Sequence, residues 1–246
     1  RLAFEAPGSF QHSLMVANLA KAGCEAIGAD AALAYAGALY HDIGKMERPE
    51  YFIENQAPGR NPHDKLQPSM SALVIINHVK KGLSLAREYN LPQPLRDAIA
   101  QHHGTRRLDF FFKKAAEKAE KDGTREEVRE EEYHYPGPRP RNKVMGILML
   151  ADGVEAASRT LVDPSEVKIR DLVRKLVDSC LKEGQLDESD LTLGELSRIS
   201  EAFQGILSSI YHRRIDYPGF DFNRKTKREA PAERNRPSAA DEVRAS

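Results

Sequence analysis

Cysteine is scarce in this chain, and the two present, Cys24 and Cys180, lie far apart in helix-like contexts. That excludes a disulfide-stapled scaffold and suits reduced thiols packed into the core of a cytosolic protein. Net charge is missing as well: 37 basic side chains balance 37 acidic ones, so bulk charge directs the chain neither to large nucleic acids nor to an anionic membrane surface. No apolar run approaches the roughly 18 residues of a membrane-spanning helix, and the N-terminus lacks the ordered regions of a signal peptide. Internal repeats and the alternation of a half-buried strand are also absent. What remains is an all-α pattern of helices and loops, 246 residues long and 40% hydrophobic, enough for one sizeable core or two small ones. Numbering starts at Arg1 rather than Met, as expected of a domain within a longer protein.

Against this background, polar residues in apolar surroundings stand out. Residues 31–40 have almost no polar face and read as a helix buried on most sides, ending in His41-Asp42-Ile43-Gly44-Lys45. An ionised carboxylate there needs a cation, a raised pKa or a metal ion, and a neighbouring imidazole favours the metal. Gly44 is expected to stop the helix at positive φ, with the Lys45 cation just beyond it. Upstream, residues 1–8 read as a lead-in loop, and Ser9 as the cap of a helix to about Ala26 that carries His12 in its first turn.

Prolines at 49, 58, 62 and 68 break residues 47–68 into a long loop of the kind that lines a site, with Asn61-Pro62-His63-Asp64-Lys65 at its polar centre. Pro68 introduces a helix over 70–89 that places His78 among Leu73, Val74, Ile76 and Val79. A further helix over 92–103 ends in His102-His103-Gly104. Neighbouring helical residues diverge by about 100°, so two adjacent histidines converge on one ion only near a helix end. Residues 113–132 read as a charged insertion, a solvent-facing helix with a mobile turn at Asp122-Gly123, and 133–140 as an extended connector with His134 exposed. A central helix over 142–161 carries Asp152 and, three residues on, Glu155. Helices over 166–182 and 193–212 read as scaffold. Residues 219–246 read as a polar, disordered tail behind a domain spanning 1–218.

His12, His41, Asp42, His78, His102, His103 and Asp152 therefore form a constellation drawn from five helices. Five imidazoles and two carboxylates exceed the four ligands of a typical single-ion site and suit two ions about 3.5 to 4 Å apart with one carboxylate bridging. Nitrogen and oxygen donors without thiolate favour two divalent ions, manganese or iron, with zinc also fitting.

The series His12, His41-Asp42, His78, His102-His103, Asp152 resembles the HD phosphohydrolase superfamily in a dinuclear version. More narrowly, Phe10-Gln11-His12-Ser13-Leu14-Met15, Asn61-Pro62-His63-Asp64, Tyr135-Pro136-Gly137-Pro138, Leu150-Ala151-Asp152, Glu155-Ala156-Ala157-Ser158-Arg159 and Gly184-Gln185-Leu186 resemble the cytosolic domain of seven-transmembrane-receptor HD proteins, the PgpH-like cyclic di-AMP phosphodiesterases. The resemblance implies a compact multi-helix bundle around the metals. It implies one ion on His12, His41, Asp42 and Asp152, and another on Asp42, His78, His102 and His103, with Asp42 bridging. It also implies hydrolysis of cyclic di-AMP to pApA, and a cytoplasmic domain attached to an upstream transmembrane region of a bacterial inner-membrane protein. A branch that cleaves cyclic di-GMP carries Gly-Tyr-Pro soon after the paired-histidine position; here Gly104-Thr105-Arg106-Arg107 follows, which counts against that substrate.

In this reading two cations polarise the phosphodiester, and a metal-bridging hydroxide attacks phosphorus in line with the departing 3′ oxygen. Lys45 meets phosphate charge in the transition state or is a solvated helix-end lysine. Arg159 binds substrate phosphate or pairs with Glu155. His63 and Asp64 touch substrate or orient ligands from behind. Tyr135 and residues 110–112 offer adenine a stacking face or serve packing. A nucleotide phosphohydrolase of the wider HD group and a non-catalytic nucleotide or metal sensor are the other classes compatible with the pattern.

Overall fold

Proline, glycine and short polar caps set where the helices of this chain begin and end. The computed structural model describes residues 1–57, 59–123 and 128–211. A short helix, Leu2–Glu5 (α1), leads through Ala6 into Pro7–Ile27 (α2), so the expected lead-in loop is helical. Pro7 starts α2 because its missing N–H is not needed in a first turn. Ser9 therefore sits inside the helix rather than capping it, and its hydroxyl donates to Glu54 at 2.8 Å. Gly28, at φ 73°, closes α2 in the left-handed conformation. Asp30 opens Ala31–Tyr40 (α3) by accepting from the Leu33 N–H.

Next come Pro68–Glu88 (α4), Gln93–Gln101 (α5) and Asp109–Asp122 (α6), the first begun by proline like α2. Lys143–Ser158 (α7) is capped by Asn142, and Glu166–Lys182 (α8) by Ser165. Leu193–Tyr211 (α9) begins in a reciprocal pair: the Thr192 N–H donates to the Glu195 carboxylate while the Glu195 N–H donates to the Thr192 hydroxyl.

The axis of the bundle is α7. It is apolar nearly all round, and residues 144–152 are all buried, as such a helix must be. It packs against α2, α3, α5, α8 and α9, and Leu148, Leu150, Leu19, Ile169, Ile199 and Phe203 join in one core. Asp152 and Glu155 are thereby carried into the interior, while the ends of α3 and α5 and the middle of α4 converge on the same region.

Three further expectations need correction. Only Ala34, Gly37 and Ala38 of α3 are buried, because the helix presents one stripe to its neighbours and leaves its other alanines partly covered or exposed. Gly44 is not a positive-φ stop; it lies within a 3₁₀ turn, Ile43–Glu47. Its lack of a side chain serves close approach, since a Cβ there would strike the His78 carbonyl and the Gly82 nitrogen. The loop over 47–68 holds no long helix, as expected, and runs through tight 3₁₀ turns at Pro49–Tyr51, Ile53–Asn55 and Pro62–Lys65, with Phe52, Ile53 and Glu54 lining a cavity. The expected helix of the charged insertion is present but starts earlier, at Asp109, and is not wholly solvent-facing, since it buries Ala115 and Ala119.

Residues 124–127 of that insertion, and the expected tail over 219–246 with its boundary at 218, lie outside the described residues. Among the described residues there is no strand, only an isolated bridge between Arg107 and His134, and no helix is long and apolar enough to cross a membrane.

Candidate metal centre

All seven candidate residues meet in one place. Asp42 is the centre of the group: its Oδ2 lies 3.2 Å from His41 Nε2 and 3.5 Å from His12 Nε2, and its Oδ1 lies 3.3 Å from His78 Nε2 and 3.7 Å from His102 Nε2. One carboxylate thus turns an oxygen to each of two imidazole groups. Asp152 also faces both ways, with Oδ1 3.0 Å from His12 Nε2 and Oδ2 3.5 Å from His103 Nδ1. The ligating atoms of His12, His41 and Asp42 lie within 4.8 Å of one another, as do those of Asp42, His78, His102 and His103.

Local sequence explains the aim of the rings. His41 and His102 follow the last turns of α3 and α5, and His78 lies within α4. In each, Nδ1 donates to the carbonyl three residues back: His41 to Ala38 at 2.6 Å, His78 to Ile75 at 2.6 Å and His102 to Ile99 at 2.9 Å. A carbonyl only accepts, so Nδ1 carries a proton in each ring and Nε2 is the nitrogen turned inward, the one that would ligate an ion.

The donor set passes a simple test of fit to a cation. His12 Nε2, His41 Nε2 and Asp42 Oδ1 are buried and make no hydrogen bond of acceptable geometry, and Asp42 Oδ2 has the Lys45 ion pair. Leaving such atoms unsatisfied is costly, and three of them aimed at one space favour an ion there. Charge points the same way. Burial disfavours a proton on His41, yet Asp42 and Asp152 outweigh it and raise the imidazole to about 10. Burial, together with the charged His41, pushes His102 down to about 3. A cation bound at this place must expel the His41 proton. The His and Asp cluster is therefore compatible with divalent metal binding.

Around the centre, Lys45 Nζ reaches Asp42 at 2.6 Å and Glu54 at 2.9 Å. Burial opposes its charge, but these two carboxylates hold it firmly protonated. Arg159 pairs with Glu155, its Nε 2.7 Å from Oε1, and Glu155 in turn contacts His12 Nδ1 through Oε2. Glu54 gives no signal in the sequence beyond its place in an irregular loop. The tie from Glu155 to His12 was open to the reasoning applied to Asp152, an acid three residues along a buried helix. Tyr135 stacks on His103 with ring centroids 4.2 Å apart.

His63 and Asp64 are not brought to the centre. His63 turns inward, its Nε2 donating to the Tyr51 carbonyl at 2.8 Å and its ring against Phe111, so it braces the loop; Asp64 is exposed. Phe111 and Phe112 pack around Ala72, Ala115 and Tyr133, while Phe110 is largely exposed. A cavity of about 380 Å³ opens onto the centre, with His12, His103 and Asp152 at its polar end, Phe52 and Tyr135 on its walls, and Arg159 also lining it.

The sequence and the fold have known counterparts. Residues 9–157 match the HD domain family. The cyclic-di-AMP phosphodiesterase PgpH of Bacillus subtilis (strain 168) is 47% identical over 214 residues, which is 87% of this chain and 29% of that protein. The enzyme of the same name from Listeria monocytogenes is 42% identical over 218 residues, 89% of this chain and 30% of that protein. The chain thus spans under a third of the length of these curated relatives. A crystal structure of the L. monocytogenes PgpH HD domain in complex with cyclic-di-AMP superposes with a TM-score of 0.81 at 41% identity, covering 88% of this chain and 97% of that one. An all-helical bundle with paired histidines and aspartates at the ends of its helices, matched by a family model over most of its length, makes this chain a member of the HD domain family.

Proposed function

We propose that this chain is a metal-dependent phosphodiesterase that opens cyclic di-AMP to linear pApA. The observation that carries the reading is the centre itself, where Asp42 turns one oxygen to each of two imidazole groups beneath a cavity. Relatives similar over most of the chain are described as cyclic di-AMP phosphodiesterases, and a similar HD domain was crystallised with that nucleotide.

His12, His41, Asp42 and Asp152 would hold one divalent ion and Asp42, His78, His102 and His103 a second, and such ions would supply Lewis-acid polarisation of the phosphodiester and a more acidic water. Manganese or iron suits a donor set of nitrogen and oxygen, and zinc also fits. The chain's own groups do the rest. Asp42 keeps its negative charge between the two imidazole groups. Lys45, charged and lining the cavity, meets negative charge as it builds on the phosphate. Arg159 spends Nε and Nη2 on Glu155 and keeps Nη1 for the second phosphate. Phe52 and Tyr135 exclude water and give a purine an apolar face.

In the whole protein this domain is cytoplasmic and follows a transmembrane receptor region, in keeping with the families it resembles; its balanced charge gives no purchase for large nucleic acids. The test is turnover of cyclic di-AMP and cyclic di-GMP by the chain loaded with Mn²⁺ under reducing conditions, with metal measured on the same sample. Cyclic di-AMP should yield pApA with about two ions per chain, and His41→Ala should lose turnover while staying folded. A metal-loaded chain that leaves both nucleotides intact, or a fully active His41→Ala, overturns the reading.

A further inference from the structure

The imidazoles of the centre are oriented in different ways. His41, His78 and His102 each rest Nδ1 on a backbone carbonyl of their own helix. His12 does not. Its Nδ1 meets Oε2 of Glu155, a buried carboxylate from another helix, α7. The other oxygen, Oε1, is gripped by Arg159, with Nε at 2.7 Å and Nη2 at 2.5 Å. One face of α7 therefore sends two acids to the same ring, Asp152 to Nε2 and, three residues on, Glu155 to Nδ1.

A carboxylate draws on an imidazole N–H more strongly than a neutral carbonyl does. That concentrates electron density on the far nitrogen, fixes the ring and makes it the better ligand. The opposite half of the centre contains the least secured ring. His103 is the only partly exposed histidine of the seven-residue group, and it is steadied by stacking on Tyr135 rather than by a carbonyl.

Building on the two-metal reading above, we propose that Glu155 is a positioning residue that makes the centre unequal. The ion on His12, His41, Asp42 and Asp152 is the firmly held one, and the ion on His78, His102 and His103 is the exchangeable one. Glu155 borders the cavity, but in this assignment it acts through His12.

The experiment is stepwise chelation of the intact Mn²⁺-loaded chain, with bound metal per chain measured by mass spectrometry at each EDTA concentration. The wild type should start near two ions and pause near one over at least a tenfold range of chelator, because outer-shell contacts change metal affinity by about 10- to 100-fold. Glu155→Gln keeps the side chain's volume and removes its charge, so the pause should shorten or vanish. Arg159→Ala, which leaves the carboxylate on His12, should keep it. His103→Ala should start near one ion and resist chelator as the wild-type pause does.

Two ions that leave the wild type together overturn the inference alone, as does a Glu155→Gln protein, folded by its melting curve, with an undiminished pause. Should that variant not fold, a single-step wild type or a His103→Ala chain that loses its ion easily still overturns the inference. A wild type that never holds two ions overturns both the inference and the two-metal reading beneath it.

Discussion

A methyl group at Gly44 has nowhere to go: the His78 carbonyl and the Gly82 nitrogen already occupy its place. Both obstacles are backbone, so neither can rotate aside, and α4 would have to back away from the turn that carries Asp42. Gly44→Ala should cost about 3 kcal/mol, at the upper end of overpacking penalties, and should misplace His78 as well. Gly205, inside α9, is the contrast, since a Cβ there meets nothing within 4 Å. Gly205→Ala should stabilise the chain by roughly 0.5 to 1 kcal/mol, because alanine loses less backbone freedom in a helix. Urea denaturation of the two variants decides the matter; equal effects would show that close approach is not what Gly44 supplies. The sequence marked Gly44 as special and misjudged why. A glycine after an apolar helix reads as a stop, whereas the contact it permits is with a helix some thirty residues further along the chain, which no local pattern reveals. The same limit hid Glu54, whose partners Ser9 and Lys45 come from two other segments.

At the scale of elements, most helices were legible because their ends carry local chemistry. Pro68, Asn142 and Ser165 act within three residues of themselves, and those helices start at or within two residues of where the pattern put them. Ser9 failed as a cap for a non-local reason, since Glu54 holds its hydroxyl. The 3₁₀ turns of residues 47–65 have no periodicity to read.

The start of α9 makes a testable case of an element-level device. Thr192 and Glu195 cap the helix reciprocally, and Lys143 adds a hydrogen bond from the start of α7 at 2.5 Å. Thr192→Ala should cost about 1 kcal/mol. Glu195 brings a pH signature. The Lys143 hydrogen bond and the Thr192 N–H hold its carboxyl down at about 2, against an ordinary value of 4.5. A depressed folded value means that its stabilisation is complete above about 4.5 and fades as pH falls toward 2. The stability gap between wild type and Glu195→Gln should therefore narrow between about pH 6 and pH 3 in paired urea titrations. A gap of the same size at both would mean that the charge of Glu195 plays no part.

For the molecule as a whole, the metal centre is also a structural joint. Its seven residues come from α2, α4, α7 and the ends of α3 and α5, so an ion bound there ties together elements that are distant in sequence. Without a metal ion the interior must accommodate Asp42 and Asp152 beside imidazoles, with His41 kept protonated by those acids against the pull of burial. The unfolded chain has no such assembled set, so metal binds the folded state and shifts the folding equilibrium by mass action. At free metal a thousand times the dissociation constant, each ion contributes about 4 kcal/mol. In a domain of this size 1 kcal/mol moves the melting temperature by roughly 2 to 4 °C, so two ions should raise it by on the order of 20 °C, less where the second site is weak. Calorimetry with Mn²⁺ and with excess EDTA measures that rise directly. His41→Ala loses a ligand of the His12 half and should keep only a small part of it. His103→Ala should retain most of the rise if the His12 half is the firmly held one. A melting temperature indifferent to chelator, in protein shown to have bound its metal, would mean that the bundle assembles the centre without leaning on it.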